Sequence, residues 1–364
     1  FPGAEFVKGT TAWRIHQTPD ETTKAIVFLF REFIRLRRFP AELKEGVYRA
    51  ILKPGKSPSL PGSYRPIQLL HTLRSIMGKI NAALLSDVIE ERARTGEFGE
   101  EQFGFRPRRN TTQAVYSLLA TLRSRLRASR TTWVCFVDLS RAYDRVPREE
   151  VLKEMDRLDV PPSLWIRIRE IMEGSCAAVR VENAISQTNT PARGVPQGDA
   201  ASCACFDFYM NAFRRAVDEG GIPLDTPEEL ALVGSRIFLL MFADDACLIA
   251  STKEEILAKL GALQDFCDRT GAKMNFSKGK TEVMRVGGEE DRPEFLTMEN
   301  GQRVLFTRSY TYLGVRFTDS TDMAETCAAN AAYLVRETYK TLERWSTYGS
   351  HPVAARHLLM AGRV

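Results

Sequence analysis

Histidine is scarce in this chain, with four residues among 364, and the seven cysteines show no CxxC spacing. The histidines, at 16, 71, 351 and 357, are too scattered to complete a zinc site with those cysteines, so a zinc finger or ribbon is not expected. An odd cysteine count with several thiols in apolar runs argues against a disulfide framework. It suits reduced, mostly buried thiols in an intracellular protein. No apolar run approaches the roughly 20 residues that a membrane span needs, so no membrane partner is expected. Internal repeats and low-complexity linkers are also lacking. The first residue is Phe1 rather than Met, and the sequence ends in a helical-looking stretch, which reads as a segment of a longer protein. Acidic residues are missing altogether from Phe103 to Val137.

What is present is ordinary globular composition, 44% hydrophobic and 27% charged, in a chain long enough for more than one subdomain. The formal charge is +5, and its distribution says more than its size. The acid-free stretch holds Arg106, Arg108, Arg109, Arg123, Arg125, Arg127 and Arg130. A second group comprises Arg31, Arg35, Arg37, Arg38, Lys44, Lys53 and Lys56. Clustered like charges repel unless something negative lies among them, so both groups suit a phosphate backbone. The plainer reading of either group alone is a solvated helix face.

Apolar spacing predicts helices over Ala25–Leu36, Leu69–Glu90, Thr111–Leu126 (capped by Asn110), Pro147–Leu158, Ser163–Met172, Asp199–Val217 and Thr252–Thr270. Strands are expected at Tyr48–Leu52, Thr131–Leu139, Cys176–Val181, Thr281–Val286, Gln302–Phe306 and Tyr312–Phe317. Arg236–Phe242 and Ala246–Ala250 read as a hairpin with acids at its turn. The last 40 or so residues look helical, and Pro61, Pro66, Pro107, Pro191 and Pro196 are assigned to connections. The alternation implies an α+β fold with a small antiparallel sheet covered on one side by helices.

Two carboxylate positions stand out from apolar surroundings. Asp138 ends the run Trp133-Val134-Cys135-Phe136-Val137, and Asp244-Asp245 separate Phe238–Phe242 from Cys247-Leu248-Ile249. A carboxylate at the end of a buried strand is costly unless paired or bound to a metal. If the first strand and the hairpin are neighbours in one sheet, Asp138 and Asp244 converge and can hold two divalent ions, with Asp245 as a helper. Mg²⁺ suits such oxygen ligands best, with Mn²⁺ as a substitute, and substrate phosphates would complete the coordination. Alone, Asp138 is as well explained by a strand-end turn, and Asp244-Asp245 by a simple hairpin turn.

Asp138-Leu139-Ser140-Arg141-Ala142-Tyr143-Asp144, Gly194-Val195-Pro196-Gln197-Gly198-Asp199 and Phe242-Ala243-Asp244-Asp245 resemble, in that order, three palm motifs of reverse transcriptases. The likeness is to those of non-LTR (LINE-type) retrotransposons. Leu52–Lys56 with Tyr64–Ile67 resembles the first fingers block, and Gln102–Pro107 the second. Asn275–Thr281 resembles the fourth palm motif, and Tyr312–Val315 the primer-grip region. An isolated ADD means little, whereas ordered blocks over residues 47–320 are specific.

The resemblance implies a right-hand polymerase fold with an antiparallel palm sheet, helical fingers and a partial thumb. Residues 1–46 would extend the fingers, 47–130 form them, 131–320 make the palm and 321–364 begin an incomplete thumb. The implied activity is RNA-directed DNA polymerisation, extending a DNA primer or nicked target DNA with dNTPs on an RNA template. Asp138 and Asp244 would bind the metals, and Tyr143 would lie beneath the sugar and exclude a 2′-hydroxyl. Lys53 and Arg65 would reach the triphosphate, Gln197 the nucleotide and template strand. Lys278 or Lys280 would protonate pyrophosphate, the inserted residues of Ser277-Lys278-Gly279-Lys280-Thr281 leaving the choice open. Arg106, Arg108 and Arg109 are expected on template phosphates, ahead of the helical pair Arg123 and Arg127. An active element in a eukaryotic host implies a nuclear location.

Two departures bear on this reading. Where the family has prolines after the second palm motif, this chain has Ala200, Ala201, Ser202 and Cys203, so a looser start to the next helix is expected. A degenerate or domesticated copy that binds nucleic acid without polymerising is therefore the main alternative. An RNA-dependent RNA polymerase is disfavoured by Ala243 before the acid pair and by Tyr143, which leaves little room for a ribose.

Overall fold

The computed structural model describes residues 20–182, 184–218, 222–223, 236–288 and 292–320. The expected thumb and terminal helices, residues 321–364, lie outside them. Along the described chain run α1 (Asp20–Leu36), α2 (Ala41–Lys44), β1 (Glu45–Leu52), β2 (Tyr64–Leu70), α3 (Thr72–Arg94) and α4 (Thr111–Arg127). Next come β3 (Thr132–Val137), α5 (Ala142–Arg145), α6 (Arg148–Arg157), α7 (Pro162–Met172), β4 (Cys176–Val181), β5 (Ala184–Ile185) and α8 (Ala200–Ala216). Then follow β6 (Ile222–Pro223), β7 (Arg236–Ile237), β8 (Leu239–Phe242), β9 (Asp245–Ala250) and α9 (Lys253–Thr270). The last are β10 (Glu282–Val286), β11 (Phe295–Thr297), β12 (Arg303–Phe306), β13 (Ser309–Tyr312) and β14 (Val315–Thr318).

The described residues form two compact units interleaved in sequence, one from those up to 99 and over 141–212, the other from those over 100–140 and from 213 onward. The segments 47–130 and 131–320 each contribute to both.

The first unit carries a four-stranded sheet in the order β2-β1-β4-β5. β1 runs antiparallel to β2 and parallel to β4, so this sheet is mixed. β2 was not foreseen, because Pro66 reads as a connection. It lies opposite Ala50 on an edge strand, where a missing N–H costs no ladder bond. Phe30, Phe39, Leu43, Met77 and Ile171 form an apolar cluster in this unit. Beside them Arg74 and Asp199 are a fully buried ion pair, Nε to Oδ2 3.5 Å, and Arg74 also donates to the Lys44 carbonyl. Asp199 accepts in addition from the Ala201 amide at 3.0 Å, which caps the first turn of α8. The start of α8 is thus anchored without the family's prolines, and the looser start expected from their loss is not found.

The second unit is built on a six-stranded sheet, β11-β12-β10-β3-β9-β8. It is antiparallel except for the β10·β12 pair. Every residue of the central β3 is buried, as its β-branched and aromatic run requires, while α4 supplies Leu118 and Leu122 to the same core. The capping box of Asn110 with Gln113 fixes the start of α4, and Thr252 with Glu255 does the same for α9. The strand expected over Tyr312–Phe317 is instead a hairpin, β13–β14. Its turn residues Leu313 and Gly314 both have positive φ, 49° and 82°, as a tight hairpin demands. All six described cysteines are free.

Candidate active site

The register of β8 with β9 pairs Phe242 with Asp245 and leaves Ala243-Asp244 as a two-residue turn. Ala243 takes a φ of +55°, unfavourable for a residue with a Cβ, and is clamped there. Its N–H donates to Gln102 Oε1 at 3.0 Å, and its carbonyl accepts from Gln102 Nε2 at 3.3 Å. Gly104 donates to the same Gln102 oxygen at 2.8 Å. A Cβ on Gly104 would stand 2.3 Å from the Ala243 nitrogen, so this close approach requires glycine. Residues 101–103 complete the clamp by exchanging backbone hydrogen bonds with Met241, each 2.8 Å.

β3 pairs with β9 so that Val137 faces Ala246, and the next position outward brings Asp138 level with Asp245. Three carboxylates thereby gather where strand ends meet a turn. The electrostatics agree: Asp245 is pushed up to about 6 by partial burial, then by Asp244 and Asp138, against a downward pull from Lys280.

Asp138 is held by the Asn275–Thr281 segment. Lys280 Nζ lies 2.9 Å from Oδ1, and Asn275 Nδ2 donates to Oδ2 at 3.2 Å. The Asp138 amide donates to Thr281 Oγ1, and its carbonyl accepts from the Asn275 amide at 2.9 Å. Tyr310 donates its hydroxyl to the Lys280 carbonyl at 2.9 Å, and its ring stacks on Phe136 at 4.1 Å. Burial and the neighbouring Asp138 and Asp245 push the Tyr310 hydroxyl well up, so it remains a donor. Of the two candidate lysines, Lys280 is the one beside Asp138; Lys278 is exposed on the turn before it.

This donor set fits divalent cations of the hard, oxygen-seeking kind. Burial, with Asp244 and Asp138 close by, already disfavours the ionised form of Asp245, and a cation among these carboxylates would relieve that. Among the described residues no three His, Cys, Asp or Glu side chains are placed together to hold a metal ion.

The remaining expected site residues lie in the first unit. Tyr143 sits in α5, and its carbonyl accepts from the Val195 amide at 3.0 Å. Gln197 is strapped to β2 on the other side of that loop, its carbonyl accepting from Gln68 N at 2.6 Å. The following Gly198 is required, because a Cβ there would come 2.3 Å from the Gln68 carbonyl oxygen. The segment from Val195 to Gln197 is therefore tied to Tyr143 at one end and to β2 at the other. Lys53 donates to the Gly62 carbonyl at 3.1 Å across the loop between β1 and β2, and Arg65 is exposed on β2 opposite Ile51.

The loop arginines divide. Arg106 is only 4% exposed, with its guanidinium directed to the Gln102 carbonyl and the Glu100 carboxylate. Arg109 pairs with Glu100 and lies over the Phe103 ring. Arg125 is buried on Thr131, Thr132 and Ser251. Arg108, Arg123 and Arg127 face solvent. Of the three loop arginines expected on template phosphates, Glu100, which precedes the acid-free stretch, draws two inward. Gln102, Asn275 and Tyr310 received no individual role from the sequence. Gln102 and Asn275 stood inside recognisable blocks, and Tyr310 two positions before one.

The family model for reverse transcriptase (RNA-dependent DNA polymerase) matches residues 51–317. The probable RNA-directed DNA polymerase from transposon X-element of Drosophila melanogaster is 27% identical over 74% of this chain and 27% of its own length. The RNA-directed DNA polymerase from mobile element jockey of Drosophila funebris is 25% identical over 86% of this chain and 33% of its own. The chain thus spans about a quarter to a third of these curated relatives. Among solved structures, apo telomerase from Candida tropicalis superposes with a TM-score of 0.53 at 13% identity, covering 77% of this chain and 48% of that one. A likeness at that identity speaks to the fold, an α+β right-hand polymerase fold.

Proposed function

Since the chain belongs to the reverse transcriptase (RNA-dependent DNA polymerase) family, whose members use divalent metals, we propose that it extends a primer 3′-hydroxyl with dNTPs on an RNA template. The observation that carries this reading is the gathering of Asp138, Asp244 and Asp245 at one strand-end and turn, with Lys280 alongside.

Asp138 and Asp244 would hold two Mg²⁺ ions, or Mn²⁺ in their place. When bound, such ions supply Lewis-acid activation of the 3′-hydroxyl and charge neutralisation at the triphosphate. Asn275, donating to Oδ2, would restrain the orientation of the Asp138 carboxylate. Lys280 offsets the charge of Asp138 and is the residue we assign to proton donation toward the leaving pyrophosphate. Asp245, at the head of β9, shapes the field of the other two acids. Lys53 and Arg65 are assigned to the incoming triphosphate, where a guanidinium can bind bidentately. Gln197 is assigned to the nucleotide and template, and Tyr143 to exclusion of the 2′-hydroxyl. Nicked target DNA as the source of the primer belongs to the same proposal.

Primer extension on RNA and DNA templates, with dNTPs and rNTPs supplied separately, tests the reading. Metal-dependent incorporation of dNTPs on RNA supports it. Template binding with no incorporation of either nucleotide class would assign the chain to the non-polymerising alternative. Preferential use of rNTPs would make it an RNA polymerase.

A further inference from the structure

Resting on the assignment of Tyr143 to sugar selection, we propose that Cys203 is a positioning residue for that selection, its thiol holding the Tyr143 hydroxyl. The Tyr143 side chain is held against α8 at both its ring and its hydroxyl. The ring stacks on Phe206 with centroids 4.5 Å apart and planes 7° from parallel. The hydroxyl donates to Cys203 Sγ at 3.9 Å. Cys203 and Phe206 are three residues apart in α8, so one helix face presents both the surface under the ring and the partner of its hydroxyl.

The rest of the arrangement makes that face a fixed reference. Phe206 is fully buried and packs in turn against Tyr209. The start of α8 is pinned by the Asp199 cap and the buried Arg74 pair. On the opposite side, the Tyr143 carbonyl is tied to the Val195 amide. The backbone tie and the stacked ring hold Tyr143 at two points, and a slide across Phe206 or a tilt away from it would displace the ring. A partner at the hydroxyl opposes that motion. Burial pushes the Cys203 thiol up, against a smaller lowering by Tyr143 itself, so sulfur is present as a thiol. A thiol is a weak acceptor and the contact is long, so a modest effect is expected.

Cys203 stands where the family pattern has a proline, a residue with no side-chain partner for a tyrosine hydroxyl. The departure from the motif thus supplies a contact that proline could not make. Loss of a neutral hydrogen bond corresponds to about two- to tenfold in an equilibrium. That is the change expected in the ratio of dNTP to rNTP incorporation efficiency.

The experiment measures this ratio by single-nucleotide incorporation for the wild type, Cys203→Ala, Cys203→Ser, Tyr143→Phe, Tyr143→Ala and the double variant Tyr143→Phe/Cys203→Ala. Melting temperature is recorded for each. Cys203→Ala is expected to lower the ratio about two- to tenfold, and Cys203→Ser, which keeps an acceptor, to restore it. In the Tyr143→Phe background, Cys203→Ala should change nothing further, because the hydroxyl it served is gone. An unchanged ratio in Cys203→Ala, equal loss in both backgrounds, or failure of serine to rescue would each overturn the proposal. The underlying assignment fails separately, if Tyr143→Ala leaves the ratio untouched.

Discussion

Lys280 holds its ammonium group 2.9 Å from Oδ1 of Asp138, whereas Lys278, two residues earlier, lies exposed on the preceding turn. The two lysines should therefore part company in single-turnover extension. Lys280→Ala is expected to slow the chemical step by about 10²–10⁴-fold, the range for loss of a general acid. Lys278→Ala should change it by less than about threefold. Equal effects would return the assignment to its starting ambiguity.

The turn that carries Asp244 depends on a residue far from it in sequence. Replacing Gly104 by Ala places a methyl group against the Ala243 nitrogen, and replacing Gln102 by Ala removes both hydrogen bonds that hold Ala243. Each variant should weaken Mg²⁺ activation, read as a higher metal concentration for half-maximal extension. Normal metal dependence in Gln102→Ala would show that the turn holds its shape unaided.

Asp199 lies in a recognised motif, yet its carboxylate is buried on Arg74 and on the first turn of α8. Removing one member of a buried pair strands the other, so Asp199→Ala should lower unfolding stability by about 3–5 kcal/mol. Chemical denaturation measures this. A loss below about 1 kcal/mol, the scale of an exposed pair, would show that Arg74 finds solvent or another partner.

Template affinity should depend on salt through the exposed arginines. Substituting Arg108, Arg123 and Arg127 together is expected to shallow the slope of log affinity against log salt by up to about 0.7–0.9 for each phosphate no longer neutralised. Arg106→Ala should instead reduce stability and leave the slope nearly unchanged. The reverse pattern would restore the ranking suggested by the sequence alone.

Much of this was legible in the residues. β4 follows its apolar run to the residue, and Asn110 and Thr252 stand where their helices start. The acids fall at the hairpin turn because they interrupt two apolar strands. Other features depend on pairings that no local pattern records. Pro66 hid β2, since an edge position is known only once the sheet order is known. Leu313 hid the β13–β14 turn, because leucine at positive φ runs against propensity. Lys280 could not be separated from Lys278 until Asp138 was placed beside it. Arg106 reads as a surface charge until Glu100 and the Gln102 carbonyl are seen around it.

The central claim is that strand-end acids at Asp138 and Asp244 carry the chemistry, and extension of a labelled primer on RNA by Asp138→Asn and Asp244→Asn tests it most directly. Template binding and melting temperature are measured in parallel. Both variants are predicted to bind template with near-normal affinity and to give no detectable extension with either Mg²⁺ or Mn²⁺. Near-normal extension by either folded variant would contradict the account.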